Sequence, residues 1–325
     1  MKILFTGDWH IRGNNPRARV DDYRETIKGK LRQVFQLVKN YGVRYIVTPG
    51  DTFDRPDVAV AVILEFAAVL NESPVPIITT AGNHDLFGHN PDSYGRTSLA
   101  VLAAILKDKF RVIMHPQEGI RETRHTSDKF IFTAIPFSPQ VDRGGFGYCP
   151  GFKAEKYETL VHISHGMLMD HTPPWDKFTN VYEVQTKADI ILAGHDHLGF
   201  GVIKRRDGKI FVNPGGLMRI SASLAEIQRP VRVAIIDLDT RDVKLVPLQY
   251  QPGEKVLDRS HLEQAAAREE NMRGFTEILD QSAELKLLDL TEIIERLSLA
   301  DSLPYHVRDE ALARLAKVRE RLKSA

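Results

Sequence analysis

The amino-acid sequence predicts an α/β protein with a helical extension at its C-terminal end. Short β-rich segments alternate with helical patterns over the first two hundred residues, which is typical of βαβ units around a parallel or mixed sheet. After Phe200 the strands follow one another directly, and from about His261 the strand pattern ends. The alternation by itself favours a doubly wound sheet. We expect one main domain over residues 1–250 and a helical extension over residues 251–325.

The first half of the chain divides into strands and helices by its apolar periodicity. Residues 23–40 form an amphipathic helix pattern, and Gly42 stands where such a helix commonly ends. The glycine- and proline-rich residues 138–152 predict an irregular loop. The remaining predicted elements are a strand at Lys2–Thr6, a strand at Arg44–Thr48, a helix at Asp57–Asn71, a strand at Val75–Thr80, a helix near Thr97–Leu106, and strands near Phe110–Met114, Lys129–Ile135, Thr159–Ser164 and Asp189–Ala193.

The second half begins with strands near residues 200–206, 209–213, 231–238 and 242–248. Short turns between these strands predict antiparallel pairing. Two helical stretches follow, at about 262–299 and 305–323. Both carry apolar stripes, which must pack on the main domain or on a partner protein.

Composition limits the possible classes of protein. The 325 residues carry a net charge of +1, so no overall field favours binding to nucleic acid or membrane, and a local patch must bind any polyanion. The single cysteine, Cys149, indicates a reducing compartment. The first ten residues include Asp8 and His10, where a signal peptide would still be apolar, and no stretch is long enough to span a bilayer. We therefore expect a soluble, cytoplasmic protein.

Five polar clusters each follow directly on a predicted strand. Ligands of open α/β sheets bind outside the carboxyl ends of the strands, so we expect these loops to converge on one crevice. Each cluster alone is more simply explained as a turn or a helix cap, but five in succession are not. The clusters are Gly7-Asp8-Trp9-His10, Gly50-Asp51-Thr52-Phe53-Asp54, Gly82-Asn83-His84-Asp85, Ser164-His165-Gly166 and Gly194-His195-Asp196-His197.

These clusters offer carboxylate oxygens, an amide oxygen and imidazoles without a thiolate, which suits borderline-hard divalent ions. The set is too large for one ion, and a carboxylate such as Asp51 can bridge two. Two ions about 3.5–4 Å apart are the arrangement that hydrolyses phosphate esters. The candidate ligands are Asp8, His10, Asp51, Asn83, His165, His195 and His197.

His84 is not needed among the ligands. Its neighbour Asp85 could raise its basicity or orient it, and His84 would then stabilise phosphoryl charge or protonate the leaving oxygen. We therefore predict His84 and Asp85 as catalytic residues.

The ordered clusters resemble the motif series of the calcineurin-like metallophosphoesterases. The resemblance covers about residues 1–250 and implies a four-layer sandwich of two mixed β-sheets flanked by helices, instead of the doubly wound sheet. It also implies two divalent ions, with Mn²⁺ as the first candidate and Mg²⁺ as the second. By the same resemblance, one ion takes Asp8, His10, Asp51 and His197, and the other takes Asp51, Asn83, His165 and His195.

Within that superfamily the chain is most similar to the SbcD type of DNA repair nuclease. The similarity rests on the aromatic residue in Asp8-Trp9-His10, the long helix after it, and Gly50-Asp51-Thr52-Phe53-Asp54. The turn Asn213-Pro214-Gly215-Gly216 with Arg219 resembles the turn that closes the site in the superfamily, so Arg219 is a candidate substrate contact. Trp175 is a second candidate, because it could stack on an unpaired base. SbcD nucleases usually carry a mixed α/β cap, whereas residues 261–325 predict only helices.

The leading hypothesis is thus a two-metal phosphodiesterase that cuts DNA as an exonuclease or endonuclease. Its implied partners are DNA and an SbcC-type, SMC-like ATPase gripped by the helical extension, and a homodimer is a further candidate assembly. One alternative is an enzyme on a small-molecule, cyclic-nucleotide or phosphoprotein substrate. Another is a non-catalytic subunit that recruits an ATPase, but a scaffold has no need of seven converging ligands.

Overall fold

The computed structural model describes residues 1–115, 119–124, 128–151, 158–260, 262, 264, 268–270, 272–273, 294–295, 297–298 and 304–323. The chain divides into two compact units, Met1–Arg259 and Ser260–Ala325. The first unit extends slightly beyond residue 250 because Val256 and Leu257 pack in a small apolar cluster with Ala18, Ala222 and Ile227. All seven candidate ligands lie in this unit.

The first unit contains helices and strands in a mixed order. Its helices are α1 (Tyr23–Tyr41), α2 (Val60–Asn71), α3 (Ser98–Leu106), α4 (Leu224–Gln228) and α5 (Gly253–Val256). Its strands are β1 (Lys2–Phe5), β2 (Val43–Val47), β3 (Ile77–Thr79), β4 (Phe110–Val112), β5 (Gly119–Arg124), β6 (Asp128–Ile135), β7 (Glu158–Gly166), β8 (Leu168–Met169), β9 (Thr179–Asn180), β10 (Ile190–His195), β11 (Gly201–Lys204), β12 (Ile210–Asn213), β13 (Arg232–Asp237) and β14 (Asp242–Pro247).

Two six-stranded mixed sheets form the framework. The first has the order β14-β13-β1-β2-β3-β4, in which β1 to β4 run parallel and β13 is antiparallel to β1. The second has the order β11-β12-β10-β7-β6-β5, with four parallel strands between two antiparallel edge strands. The structure thus confirms two mixed sheets, and the doubly wound sheet that the alternation alone favoured is wrong.

Alternation along each strand places its side chains in different apolar layers. In β1, Leu4 packs with helices α1 to α3, whereas Ile3 and Phe5 point into the layer between the two sheets. The outer face of the second sheet packs on loop residues such as Tyr148 and Val184. Strands buried on both faces explain why the sequence shows near-continuous apolar runs.

Helix α1 begins and ends where the sequence predicts. The Asp22 side chain accepts a hydrogen bond from the Glu25 amide, which caps the first turn. At the other end Gly42 has φ 63°, a left-handed conformation that glycine adopts readily, and its amide bonds to the Val38 carbonyl. The buried face of α1 then covers the first sheet.

The second unit is described mainly at its C-terminal helix, Tyr305–Lys323, which agrees with the predicted helix over 305–323. Leu312 and Leu315 are half-buried on one face of it, while Ala313 and Ala316 are exposed. Most of the helix predicted over 262–299 lies outside the described residues. Among the helices that the structure describes, none is long and apolar enough to cross a membrane.

His162 lies on β7, buried on the outer face of the second sheet. Its Nε2 lies 3.0 Å from the Gly147 carbonyl, and its Nδ1 lies 2.8 Å from the Thr133 hydroxyl. The carbonyl can only accept, so Nε2 carries the proton and the hydroxyl donates to Nδ1. Burial lowers the pKa of His162 to about 4, although the Gly147 carbonyl acts to raise it. The ring is therefore neutral in the folded protein at neutral pH.

This neutral histidine makes stability depend on pH. The unfolded chain binds a proton near pH 6.5, so the contribution of His162 is complete above that value and falls as the pH drops toward 4. Between pH 7 and pH 5, the unfolding free energy of the wild type should therefore fall by about 2 kcal/mol more than that of His162→Gln. Denaturant titrations at the two pH values measure the difference, with the exposed His171→Gln as control. Equal losses in wild type and His162→Gln would contradict it.

Candidate metal centre

The seven predicted ligands come together where strands of the two sheets end. Asp8 and His10 follow β1, Asp51 follows β2 and Asn83 follows β3. His165 and His195 lie near the ends of β7 and β10, and His197 follows directly. The carboxyl ends of parallel strands from both sheets thus meet at one place, as expected for an α/β ligand site.

Asp8, His10 and His197 form one group of donors. The Nε2 atoms of His10 and His197 lie 2.9 Å apart, and the Nε2 of His197 lies 3.3 Å from Asp8 Oδ2. Asp8 and His10 are almost fully buried. Their donor atoms converge on one another, which is how side chains around a metal ion are arranged.

Asp51, His165 and His195 form a second group. The Nε2 of His165 lies 3.2 Å from Asp51 Oδ2 and 2.9 Å from Asn83 Oδ1. The same Asp51 oxygen lies 3.6 Å from the Nε2 of His10 in the first group. Asp51 therefore stands between the groups, in the position of a bridging carboxylate.

Backbone and carboxylate oxygens orient the imidazoles from behind. The Nδ1 of His165 lies 3.2 Å from the Pro49 carbonyl, so this nitrogen carries a proton, and the neutral ring would present the Nε2 lone pair to the cluster. The Nδ1 of His10 lies 3.6 Å from Asp54 Oδ1, and Arg12 lies 3.1 Å from the other oxygen of Asp54. The hydrogen bond of His165 fixes the ring nitrogen that faces the cluster, whereas His10 Nδ1 has no hydrogen-bond partner among the described residues.

The electrostatics of the centre favour cations. Asp8 Oδ1 is buried without a hydrogen-bond partner among the described residues, which is costly for a charged oxygen. Burial acts to lower the pKa of His165, but Asp51 and Asp8 outweigh it and raise that pKa to about 9. Burial and the neighbouring His165 lower the pKa of His195 to about 4. A divalent ion would satisfy the carboxylates that otherwise draw a proton to His165.

Tight backbone packing places the carboxylates. A Cβ on Gly82 would lie 2.1 Å from Asp51 Oδ1, and one on Gly194 would lie 2.4 Å from Asp8 Oδ1. Only glycine therefore fits at these two positions. His10, Asp51 and His195 have φ values of 51°, 46° and 78°, left-handed conformations that cost non-glycine residues energy. The fold holds these side chains in place against that cost.

His84 lies at the exposed edge of the centre. Its ring centroid is 4.8 Å from that of His10, and its Nδ1 lies 2.8 Å from the Asp54 carbonyl. Nδ1 therefore carries the proton and Nε2 is available to a substrate. Its backbone amide donates to Asp51 Oδ1 at 2.8 Å, which ties His84 to the bridging carboxylate.

Asp85 is placed differently from what the sequence suggested. It is fully buried, and its carboxylate accepts hydrogen bonds from the amides of Gly82, Thr52 and Phe53 at 3.0–3.2 Å. It thus joins the loops that follow β2 and β3. The Asp54 carbonyl, and not Asp85, orients the imidazole of His84.

The structure buries Arg219, the first candidate substrate contact. Arg219 is 3% exposed, and its guanidinium donates to the carbonyls of Gln251 and Arg229 while it lies over the Tyr250 ring. These partners hold the guanidinium, and its contact with substrate stays a prediction. The second candidate, Trp175, is 46% exposed in the loop after β8, and its contact with substrate stays a prediction.

Sequence reasoning missed buried cations that hold the loop after β12. Lys30 donates to the Leu217 carbonyl at 2.8 Å, and Arg229 donates to the carbonyls of Gly216 and Met218. The Leu217 amide in turn donates to the Asp8 carbonyl. Lys30 lies in the middle of the α1 pattern, and no local sequence signal marks it as distinct from a surface lysine.

The part of the chain that carries the centre also matches a known protein family. Residues 1–199, more than half of the chain, match the family model described as calcineurin-like phosphoesterase. The chain belongs to the calcineurin-like phosphoesterase family. The resemblance stated from the motifs is confirmed at this level, and the protein is a phosphoesterase whose grouped aspartates and histidines suit two metal ions.

Two solved structures are similar to this calcineurin-like phosphoesterase. One is described as a novel archaeal phosphodiesterase, with 15% identity, a TM-score of 0.39, and coverage of 76% of this chain and 100% of that chain. The other is described as a dimetal phosphatase from Danio rerio, with 15% identity, a TM-score of 0.43, and coverage of 72% of this chain and 92% of that chain. The sequence matches no curated protein.

Proposed function

We propose that this calcineurin-like phosphoesterase is a two-metal phosphodiesterase that cuts DNA, as an SbcD-type exonuclease or endonuclease in DNA repair or recombination. The observation that carries the catalytic part is the meeting of two donor groups at Asp51 Oδ2, 3.2 Å from His165 and 3.6 Å from His10. The DNA part rests on the likeness of Asp8-Trp9-His10 and Gly50-Asp51-Thr52-Phe53-Asp54 to SbcD nucleases.

The donors fit divalent ions of the manganese type. Asp8, His10, Asp51 and His197 would hold one ion, and Asp51, Asn83, His165 and His195 would hold the other. When bound, such ions would supply the positive charge that stabilises a displacement at phosphorus. Imidazole nitrogens among carboxylate oxygens suit Mn²⁺ better than Mg²⁺, which prefers oxygen ligands and keeps its waters.

The chain's own residues supply orientation and a proton. The outer hydrogen bond from His165 to Pro49 keeps Nε2 directed at the centre, where the neutral ring would offer its lone pair to an ion. His84 holds its Nδ1 proton on the Asp54 carbonyl, so in the doubly protonated ring the Nε2–H would donate to the leaving oxygen or to a phosphoryl oxygen. Trp9, between Asp8 and His10, is buried, and its Nε1 donates a hydrogen bond to Thr6 Oγ1 at 2.8 Å. These contacts restrain the loop that carries the two candidate ligands.

A different phosphoester substrate is the alternative. The net charge of +1 gives no overall attraction to a polyanion, which favours a small-molecule, cyclic-nucleotide or phosphoprotein substrate. The two hypotheses share the metal centre and differ in the substrate that binds to it. Their relative rates on DNA and on a simple aryl phosphodiester separate them.

The test is a nuclease assay on labelled linear, hairpin and circular DNA with Mn²⁺, Mg²⁺ or chelator. We expect cutting that chelator abolishes and Mn²⁺ restores best. Hydrolysis of the aryl ester without cutting of any DNA would reject the DNA substrate and keep the phosphodiesterase. Full activity in chelator would reject the two-metal centre.

We propose that the helical extension binds an SbcC-type ATPase. Leu312 and Leu315 are half-buried on one face of the C-terminal helix. An amphipathic helix uses apolar residues at such spacing to bind the groove of a partner. The compact first unit ends at Arg259, so a truncation should fall after that residue and not near Gln251, which would remove the packed residues Val256 and Leu257.

Truncation after Arg259 should leave a folded enzyme that still hydrolyses an aryl phosphodiester, because all seven ligands remain. The same variant should lose co-purification with the ATPase and ATP-stimulated cutting of duplex DNA. The double variant Leu312→Glu, Leu315→Glu should have the same effect. Each leucine that the partner buries would contribute up to about 1.5–3 kcal/mol to binding. Ala313→Glu, exposed on the same helix, is the control. A lower melting temperature with loss of aryl-ester activity would contradict the prediction.

A further inference from the structure

A second concave feature lies beside the metal centre. It is a cavity of about 440 Å³ between the turn at residues 91–96 and the loop around Phe146. Tyr94, Phe146, Met114 and Pro136 give it an aromatic and apolar lining, and Asp92 and Ser138 supply polar atoms. Its volume lies in the range of pockets that hold small ligands. Phe146 is 46% exposed, so its ring is accessible to a ligand.

One short segment borders both the cavity and the metal centre. Pro136 and Ser138 line the cavity, and Phe137 between them is buried. The Phe137 ring centroid lies 5.7 Å from that of His195 and 6.0 Å from that of His165. Its amide donates to the Ala81 carbonyl at 2.8 Å, next to the loop that carries Asn83. Residues 136–138 therefore form a shared border between the cavity and two histidines of the centre.

Two further basic groups contact the same ring. The exposed His89 lies with its ring centroid 5.4 Å from that of Phe137, and the exposed Lys177 places its Nζ 5.4 Å from the Phe137 centroid. His89 has φ 60°, so its backbone adopts a costly conformation that brings the imidazole there. The Lys177 ammonium thus places a positive charge beside Phe137, which suits a phosphodiester.

We propose that the cavity binds the nucleobase of the nucleotide whose phosphate lies at the metal centre. This inference rests on the proposed phosphodiesterase function and adds a subsite to it. Tyr94 and Phe146 supply the aromatic surfaces on which a base stacks. The Asp92 carboxylate accepts from amino or ring N–H groups, and Ser138 donates or accepts.

The test compares two esters with one leaving group. The p-nitrophenyl ester of thymidine 5′-phosphate carries a base, and methyl p-nitrophenyl phosphate does not. Because leaving group and metal chemistry are shared, the ratio of their kcat/KM values reports the contribution of the base. Phe146→Ala should lower this ratio about tenfold, the usual effect of removing one stacking contact. Phe146→Trp should restore it, and the exposed Tyr182→Ala should leave it as in the wild type.

A binding experiment separates this inference from the proposed function. Calorimetry with thymidine 5′-monophosphate and with deoxyribose 5-phosphate needs no turnover. We expect the nucleotide to bind more tightly by about tenfold, and Phe146→Ala to remove that difference. Equal affinities, or a kcat/KM ratio that Phe146→Ala leaves unchanged, would overturn the subsite. Failure to hydrolyse either ester, with the binding difference intact, would overturn only the phosphodiesterase function. Rates on a short single-stranded oligonucleotide and on a cyclic nucleotide tell which nucleotide supplies the base.

Discussion

Asp51→Asn is expected to abolish hydrolysis and to empty both halves of the metal centre, although the two side chains have the same shape. The His84 amide donates to Asp51 Oδ1 at 2.8 Å, so an asparagine must place its carbonyl oxygen there. Its NH₂ group then points at His10 and His165, where Asp51 now presents its second oxygen. A donor with no free lone pair replaces the bridging ligand, and the negative charge is lost as well.

The measurement is Mn²⁺ stoichiometry by elemental analysis and Mn²⁺ affinity by calorimetry. Asp57→Asn is the matched control, because Asp57 pairs with Arg55 on the surface. We expect Asp57→Asn to keep wild-type stoichiometry. Wild-type metal content in Asp51→Asn would show that this carboxylate bridges no ions.

His84→Asn is expected to keep the metal content and to lower turnover by about 10²-fold to 10⁴-fold, the range for a general acid. The reason is the position of His84, whose side chain is exposed, whereas the groups around Asp8 and Asp51 consist of buried and half-buried residues. His84 also lies close enough to His10 and Asp51 to form a third group with them, so the metal content of this variant is the decisive readout. The exposed His306→Asn in the C-terminal helix is the control. Equal metal loss in His84→Asn and Asp51→Asn would make His84 a ligand.

The choice of substrate distinguishes the two roles of His84. If His84 protonates the leaving oxygen, the loss should be much larger on DNA than on a p-nitrophenyl ester, since an activated phenolate leaves without a proton. If His84 stabilises phosphoryl charge, both substrates should lose rate equally. The ratio of the two losses, measured at one pH, assigns the role.

The clustering of the candidate ligands was predictable because each of them lies at or just after the carboxyl end of a strand. A strand is visible as a β-rich run, and the fold brings the carboxyl ends of parallel strands together. Arg219 was not predictable in the same way, because its distance from the Asn213 turn says nothing about burial beneath Tyr250. Asp85 misled for a related reason. Its adjacency to His84 suggested a contact, but the Asp85 side chain turns inward to bind backbone amides.

The strand segments were mostly predictable, but their division between two sheets was not. Periodicity identifies a strand and does not tell which strand lies beside it. The pairing of β13 with β1 joins residues that are far apart in sequence, such as Leu4 and Ile235. Strand β5, Gly119–Arg124, was missed because its sequence GIRETR carries three charges and no apolar run.

The position of the donors across two sheets has a mechanical consequence. Asp8, His10 and Asp51 follow strands of the first sheet, whereas His197 follows a strand of the second. An ion held by this set would cross-link the sheets at one end of the apolar layer that includes Phe5 and Ile163. Separation of the sheets would then have to wait for the ion to leave. Metal loading would therefore lower the rate of unfolding. A chelator would raise that rate even where the folded structure itself is unchanged.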